Sequence, residues 1–160
     1  MQRADFIQPD GLILDFAADS KDALLRHLAD RVAEARGVDA EQLFKKLAKR
    51  EKLGSTGIGG GVALPHCPCP GVQTPAIVFA RLKPAIDFQA VDGKKVDLVL
   101  MIILPTENPA QHLPVLSMAA RVFRQEDAVK ALRKTNDVDE ISSIFSRALT
   151  AAVEEKRLES

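Results

Sequence analysis

The fold is decided by the stretch Val96-Asp97-Leu98-Val99-Leu100-Met101-Ile102-Ile103-Leu104, in which Asp97 is the one charged residue. A short apolar run without alternation is typical of a strand that is buried on both faces. Residues 76–82 form a second apolar strand candidate, and residues 85–88 form a short edge-strand candidate. The turn signal Asp92-Gly93 predicts that this edge strand joins the buried strand as a hairpin.

Helical patterns lie on either side of these strands. Residues 12–16 are a strand candidate, Ser20 and Gly37 are predicted to bound a first helix, and Asp39 with Gln42 resembles a capping box for a second helix that ends near Glu51. After the strands, three helical segments are predicted: one opened by Asn108-Pro109 with Pro114 in its first turn or at a kink, one around 128–132, and one capped by Asp137.

Together these elements predict an α/β fold. The strands and helices indicate a mixed β-sheet with helices on both faces. We expect a single-domain sandwich over residues 1–160, with a frayed tail at about 154–160.

Composition excludes several functional classes. Lys plus Arg is 22 and Asp plus Glu is 22, so no net charge attracts nucleic acid, and the absence of Trp and Tyr leaves few stacking platforms for bases. No apolar run approaches the roughly 20 residues of a membrane helix, and the start lacks a signal-peptide pattern. We therefore expect a cytoplasmic protein without direct membrane insertion, in which Cys67 and Cys69 are reduced thiols.

The chemistry is predicted in the stretch Arg50-Glu51-Lys52-Leu53-Gly54-Ser55-Thr56-Gly57-Ile58-Gly59-Gly60-Gly61-Val62-Ala63-Leu64-Pro65-His66. Glycines let backbone N–H groups converge on an anion, and Ser55 and Thr56 add hydroxyl donors, which favours phosphate. The stretch lacks the Gly-Lys-Ser/Thr of a nucleotide loop. A glycine-rich hairpin or tight turn explains the same composition.

Two histidines and two cysteines are candidates for reactive groups. His66 follows the strand candidate 62–64, where it suits an acid–base group, a metal ligand, a phosphoryl acceptor or a hydrogen-bonded structural residue. His112 lies near a predicted helix start. The sequence His66-Cys67-Pro68-Cys69 suggests a zinc site or thiol switch, although adjacent ligands and a one-residue gap fit tetrahedral coordination poorly.

The stretch from Arg50 to His66 strongly resembles the phosphorylation site of the fructose/mannitol-type enzyme IIA family of the bacterial phosphotransferase system. The resemblance rests on Arg50-Glu51, the run from Gly54 to Gly59, Val62-Ala63-Leu64-Pro65-His66, and weaker matches through most of the chain, including His112-Leu113. As a stand-alone domain the chain is most similar to the nitrogen-regulatory branch. Gly60, Cys67 and Pro114 depart from the usual residues of the family.

The resemblance implies a function and a set of partners. It makes His66 the phosphoryl acceptor, His112 a neighbour that stabilises the phosphoryl group, and Arg50, Ser55 and Thr56 phosphate-binding candidates. It implies no metal or other cofactor and an HPr-type phosphocarrier as donor, with potassium-transport regulators or sensor kinases as regulated partners. A sugar-specific component that passes phosphate to a IIB cysteine is the alternative, and a zinc or thiol switch at His66, Cys67 and Cys69 is a third.

Overall fold

Strands from both halves of the chain form the sheet of the computed structural model, which describes residue 7 and residues 9–158. In chain order they are β1 (Leu12–Phe16), β2 (Gly57–Gly59), β3 (Val62–Ala63), β4 (His66–Cys69), β5 (Ala76–Ile86) and β6 (Val96–Pro105). The long strand β6 contains the stretch 96–104, and its side chains are buried except for the half-buried Asp97. The sequence prediction of a doubly buried strand is therefore confirmed.

Five α-helices lie in the described part of the chain: α1 (Lys21–Arg36), α2 (Ala40–Leu53), α3 (His112–Phe123), α4 (Glu126–Lys134) and α5 (Val138–Leu158). The side chains of Ser20 and Asp39 accept hydrogen bonds from backbone N–H groups in the first turns of α1 and α2, as predicted. Asp137 caps α5 in the same way. Pro114 is the third residue of α3, where the missing N–H removes no intrahelical bond. Helix α5 continues to Leu158, inside the segment expected to fray.

The strand order in the sheet is β1-β5-β6-β3-β2, and β4 also pairs with β6. The pairs β5–β6 and β2–β3 are antiparallel, whereas β1–β5, β3–β6 and β4–β6 are parallel. The sheet is therefore mixed, as the sequence predicts.

Each face of the sheet carries its own apolar core because successive side chains of a strand point to opposite faces. Met101 and Ile103 of β6 pack in the core formed with α1 and α2. Leu100 and Ile102 pack in the core formed with α3, α4 and α5. Helices cover both faces, which confirms the predicted α/β sandwich.

One strand prediction is wrong in detail. Residues 85–88 were expected to form a separate edge strand, but β5 continues through Pro84 to Ile86 and lies between β1 and β6. The register between β5 and β6 shifts between Arg81 and Ile86, where the chain passes the proline that has no N–H to donate. The hairpin to β6 exists as predicted, since Ile86 pairs with Val96 across the turn.

Candidate functional site

His66 is the first residue of β4, and the short strands β3 and β4 both pair with the same edge of β6. In β3, Val62 and Ala63 pair with Leu98 and Val99; in β4, His66 pairs with Ile102. In the two-residue connection between these strands, the carbonyl of Pro65 accepts a hydrogen bond of 2.9 Å from the N–H of Ile102, which holds the connection against β6. The half-buried side chain of His66 therefore leaves the sheet at a fixed position.

The hydrogen bonding of the His66 ring defines its reactive nitrogen. Nδ1 lies 2.8 Å from the carbonyl oxygen of Leu64, and because a carbonyl only accepts, Nδ1 carries the hydrogen. In the neutral ring the lone pair is then on Nε2. Burial lowers the pKa of His66 below 6.5, the positive charges of Arg50 and His112 lower it further, and the Leu64 hydrogen bond and the charge of Glu51 oppose these effects.

His112, the first residue of α3, is held at the end of β6. Its Nε2 lies 2.5 Å from the carbonyl oxygen of Pro105 and donates a hydrogen bond to it. His66 is tied to the same strand through Ile102, three residues before Pro105, and the charge of His112 affects the pKa of His66. The end of β6 thus brings together the two histidines that were singled out from sequence.

Arg50 approaches this pair from the last turn of α2. Its Nη1 donates a 2.9 Å hydrogen bond to the carbonyl of Gly54, which follows the helix. The bond holds the guanidinium beside the chain reversal that leads into the glycine-rich stretch. Since the Arg50 charge lowers the pKa of His66, three of the five predicted site residues share one electrostatic environment.

Ser55 and Thr56 donate their hydroxyl hydrogens to acceptors within the protein. Ser55 Oγ donates to the carbonyl of Phe88 at 2.6 Å, and it accepts a bond from the N–H of Gly57. Thr56 Oγ1 donates to Glu51 at 2.5 Å, and only 5% of Thr56 is exposed. In this arrangement both residues shape the loop, and direct hydroxyl contact with a phosphoryl group would require these bonds to rearrange.

The glycine-rich stretch forms a hairpin, which is the structural interpretation that the sequence left open. Strands β2 and β3 pair antiparallel across Gly60, whose φ of +66° lies in the left-handed region. Gly60 accepts a hydrogen bond from Arg133 and donates one to Asp92. A Cβ at Gly57 would lie 2.7 Å from the Cβ of Ala90, so only glycine permits this approach.

Cys67 and Cys69 lie on the opposite face of β4 from His66. Successive side chains of a strand point to opposite faces, so Cys67 and Cys69 point away from the face of His66. Both thiols are buried in the core beneath α1 and α2. Burial raises the pKa of Cys67 to about 12 and also raises the pKa of Cys69. The three side chains of the suggested zinc or thiol switch therefore do not converge, and in the described part of the chain no three His, Cys, Asp or Glu side chains lie close enough together to hold a metal ion.

Sequence reasoning missed the buried ion pair behind this site. Lys21 Nζ lies 2.9 Å from Glu51 Oε1, and both side chains line a cleft of about 950 Å³ between α1, α2 and the end of β5. The motif that contains Glu51 does not indicate this pairing, because Lys21 lies outside the motif. The apolar face of α2 gave one available signal, because Glu51 follows Leu47 by four residues and so lies on that inward face.

None of the described helices is long and apolar enough to cross a membrane.

The fold and the site define a class of protein, namely a mixed-sheet sandwich that displays a half-buried histidine whose pKa is lowered by burial and by the charges of an arginine and a second histidine. Comparison with known proteins identifies this class. The family model described as phosphoenolpyruvate-dependent sugar phosphotransferase system, EIIA 2, matches residues 5–148. The chain therefore belongs to this family and is a phosphotransferase-system component.

Several individual relatives of this chain are nitrogen regulatory proteins. A nitrogen regulatory protein of Bradyrhizobium diazoefficiens is 37% identical over 146 residues, covering 91% of this chain and 95% of the relative. A nitrogen regulatory protein of Pseudomonas aeruginosa is 34% identical over 86% of this chain and 90% of the relative. The crystal structure of nitrogen regulatory protein IIA-Ntr from Neisseria meningitidis has a TM-score of 0.84 at 31% identity, covering 89% of this chain and 97% of that one. IIA mannitol from Escherichia coli, at 21% identity and a TM-score of 0.73 over 87% and 98% of the two chains, shares the fold.

Proposed function

We propose that the chain is a phosphohistidine carrier, which accepts a phosphoryl group on Nε2 of His66 from the phosphohistidine of an HPr-type protein. The observation that carries this proposal is the 2.8 Å hydrogen bond from Nδ1 to Leu64, which leaves the Nε2 lone pair available. The lowered pKa of His66 supports it, because an imidazole that stays neutral keeps its nucleophilic lone pair.

The transfer forms one N–P bond and breaks another, and it requires neither a metal ion nor a nucleotide. The Nε2 lone pair of His66 forms the new N–P bond while the N–P bond of the carrier breaks, and the bonding pair leaves with the carrier's ring nitrogen. Such transfers pass through a loose transition state with negative charge on the peripheral oxygens. Arg50 and His112 supply positive charge and a hydrogen-bond donor at this position.

The hydrogen bond from His112 to Pro105 limits how His112 can donate to a phosphoryl group. Its Nε2–H is already donated to Pro105, so only Nδ1 remains for the phosphoryl oxygens. Neutral His112 has a lone pair on Nδ1 and would accept rather than donate. We therefore propose that His112 donates to the phosphoryl group through Nδ1–H as an imidazolium, the form whose positive charge also lowers the pKa of His66.

The proposed role of the carrier is regulatory. Relatives at 37% and 34% identity are named nitrogen regulatory proteins. A phosphoryl group adds roughly −1.5 to −2 charges by analogy with other phosphorylated side chains, which is enough to change the partners that a surface accepts. Potassium-transport regulators and sensor kinases are the partners we propose, and the cytoplasm is the compartment in which the HPr-type carrier would meet them.

The test is incubation with phosphoenolpyruvate, enzyme I and an HPr-type carrier, followed by intact mass measurement. We expect one added phosphoryl group on the wild-type chain and none on His66→Ala. His27→Ala is the matched control, because His27 stacks on Phe16, with ring centroids 4.2 Å apart, outside the site. Labelling of His66→Ala equal to wild type would overturn the proposal.

A second candidate function is supported by relatives at lower identity. The fructose-specific EIIA component of Haloferax volcanii is 29% identical over 81% of this chain and 85% of that protein. The sugar-transport alternative predicts that the phosphorylated chain passes the phosphoryl group from His66 to the cysteine of a IIB domain. Retention of the phosphoryl group on His66 in the presence of fructose- and mannitol-type IIB domains would favour the regulatory role.

A further inference from the structure

Glu51 is a charged side chain buried next to the site without a role in the transfer itself. Only 8% of it is exposed, although a buried carboxylate is costly unless several partners compensate for the lost water. Its neighbour in the motif, Arg50, is half-buried, whereas Glu51 follows Leu47 on the inward side of α2. The burial of this carboxylate requires an explanation beyond the stability of the helix.

Three donors satisfy the Glu51 carboxylate. Lys21 Nζ lies 2.9 Å from Oε1, the backbone N–H of Thr56 donates to Oε1 at 3.1 Å, and Thr56 Oγ1 donates to Oε2 at 2.5 Å. Lys21 also donates to the carbonyl of Phe88 and to the side chain of Gln89, and its ammonium lies 4.4 Å from the centre of the Phe88 ring. Glu51 thus fixes both the backbone and the side chain of Thr56.

Thr56 in turn is connected to the His66 ring by two further hydrogen bonds. The carbonyl of Thr56 accepts a 3.0 Å bond from the N–H of Leu64. The carbonyl of Leu64 accepts the 2.8 Å bond from Nδ1–H of His66. A continuous path of hydrogen bonds therefore runs from the Lys21–Glu51 ion pair through Thr56 and Leu64 to the ring.

We propose that Glu51, held by Lys21 and acting through Thr56 and Leu64, is a positioning residue that keeps His66 in the Nδ1–H tautomer required of a phosphoryl acceptor. The inference rests on the proposed function of His66. In the other tautomer Nε2 carries the hydrogen and has no lone pair with which to attack phosphorus. A Leu64 carbonyl held in one orientation favours the reactive tautomer before the carrier docks, so the network lowers the barrier to transfer without touching the substrate.

The test compares Glu51→Gln with Glu41→Gln, which removes a carboxylate of the same helix from an exposed ion pair with Arg26. We expect the transfer rate at saturating carrier to fall on the order of 10²-fold in Glu51→Gln, with the KM for the carrier unchanged, and to stay at the wild-type value in Glu41→Gln. The ¹⁵N spectrum of His66 is expected to show the Nδ1–H tautomer in wild type and a mixture of tautomers in Glu51→Gln. A structural role alone would alter stability but neither this spectrum nor the rate of the folded protein.

A second pair of variants tests the same path at Thr56. Thr56→Val removes the hydroxyl at nearly constant volume, whereas Thr56→Ser keeps it, so we expect Thr56→Ser to recover most of the rate that Thr56→Val loses. Wild-type rate and tautomer in folded Glu51→Gln overturn the inference, and if that variant does not fold, equal rates of Thr56→Val and Thr56→Ser overturn it. Failure of wild type to accept the group would instead contradict the proposed function, and the ¹⁵N tautomer measurement would still decide whether Glu51 positions the ring.

Discussion

Nδ1 of His66 donates its hydrogen to the carbonyl oxygen of Leu64, two residues earlier, across 2.8 Å. The two ring nitrogens therefore differ in reactivity. Nδ1 carries the hydrogen that it donates to the backbone and so has no lone pair with which to form a new bond. We predict that the phosphoryl group is attached to Nε2 and that the Leu64 hydrogen bond persists in the phosphorylated protein. ¹⁵N and ³¹P spectra of the phosphorylated chain distinguish the two linkages, and an Nδ1–P bond would contradict the prediction.

The acceptance rate is predicted to persist at lower pH than an exposed histidine would allow. Burial lowers the pKa of His66 below 6.5. Protonation removes the Nε2 lone pair, so a lowered pKa shifts the loss of the reactive form to lower pH. As pH falls, the rate at saturating carrier should therefore drop only below 6.5.

An NMR titration of His66 Cε1–H separates this effect from titration of the carrier. The midpoint for His66 should coincide with the fall in rate. A His66 midpoint at or above 6.5 would show that burial does not control its protonation.

His112→Ala is predicted to slow the transfer without preventing it. The variant removes one donor to the phosphoryl oxygens but leaves the nucleophile, and loss of a single transition-state donor typically lowers the rate about 10²- to 10³-fold. Labelling should be slow and complete in His112→Ala and absent in His66→Ala. If His66→Ala were labelled and His112→Ala were not, the two roles would be reversed.

His112 is also predicted to be an imidazolium in the phosphorylated chain. The reason is that Nε2–H of His112 is committed to Pro105, so donation from Nδ1 requires the imidazolium form. ¹⁵N spectra of the phosphorylated chain should show hydrogen on both ring nitrogens of His112. ¹⁵N shifts that leave His112 neutral in the phosphorylated chain would contradict this donor role.

The fold was largely predictable because its signals are local. Caps such as Ser20 and Asp39 act within three residues, and the doubly buried β6 shows its environment in its own composition. The continuation of β5 through Pro84 was not predictable in this way. A proline normally marks an edge or an end, and only the pairing of Ile86 with Val96 shows that the strand continues.

The candidate site was predictable where residue type or the family resemblance indicates chemistry. The sequence points to His66 by residue type, the resemblance adds the roles of His112 and Arg50, and in the structure the charges of His112 and Arg50 act on the pKa of His66. The roles of Ser55 and Thr56 depend on which acceptor takes the hydroxyl hydrogen, and that acceptor is set by tertiary contact. The Lys21–Glu51 pair joins residues 30 apart in the chain, so no short motif contains it.

The last prediction concerns the Cys67 thiol, which belongs to the residue next to His66 in β4. The structure places this side chain in the core beneath α1 and α2, with 3% exposed and its pKa raised to about 12. A thiol reacts with maleimide as the thiolate, so both burial and the raised pKa oppose modification of the folded chain. We expect negligible labelling of Cys67 in native buffer, rapid labelling of both cysteines in denaturant, and an unchanged phosphorylation rate after native exposure to the reagent. Mass mapping of the modified peptide against a Cys67→Ser control measures this, and stoichiometric labelling of native Cys67 would show that the core beneath β4 opens in solution.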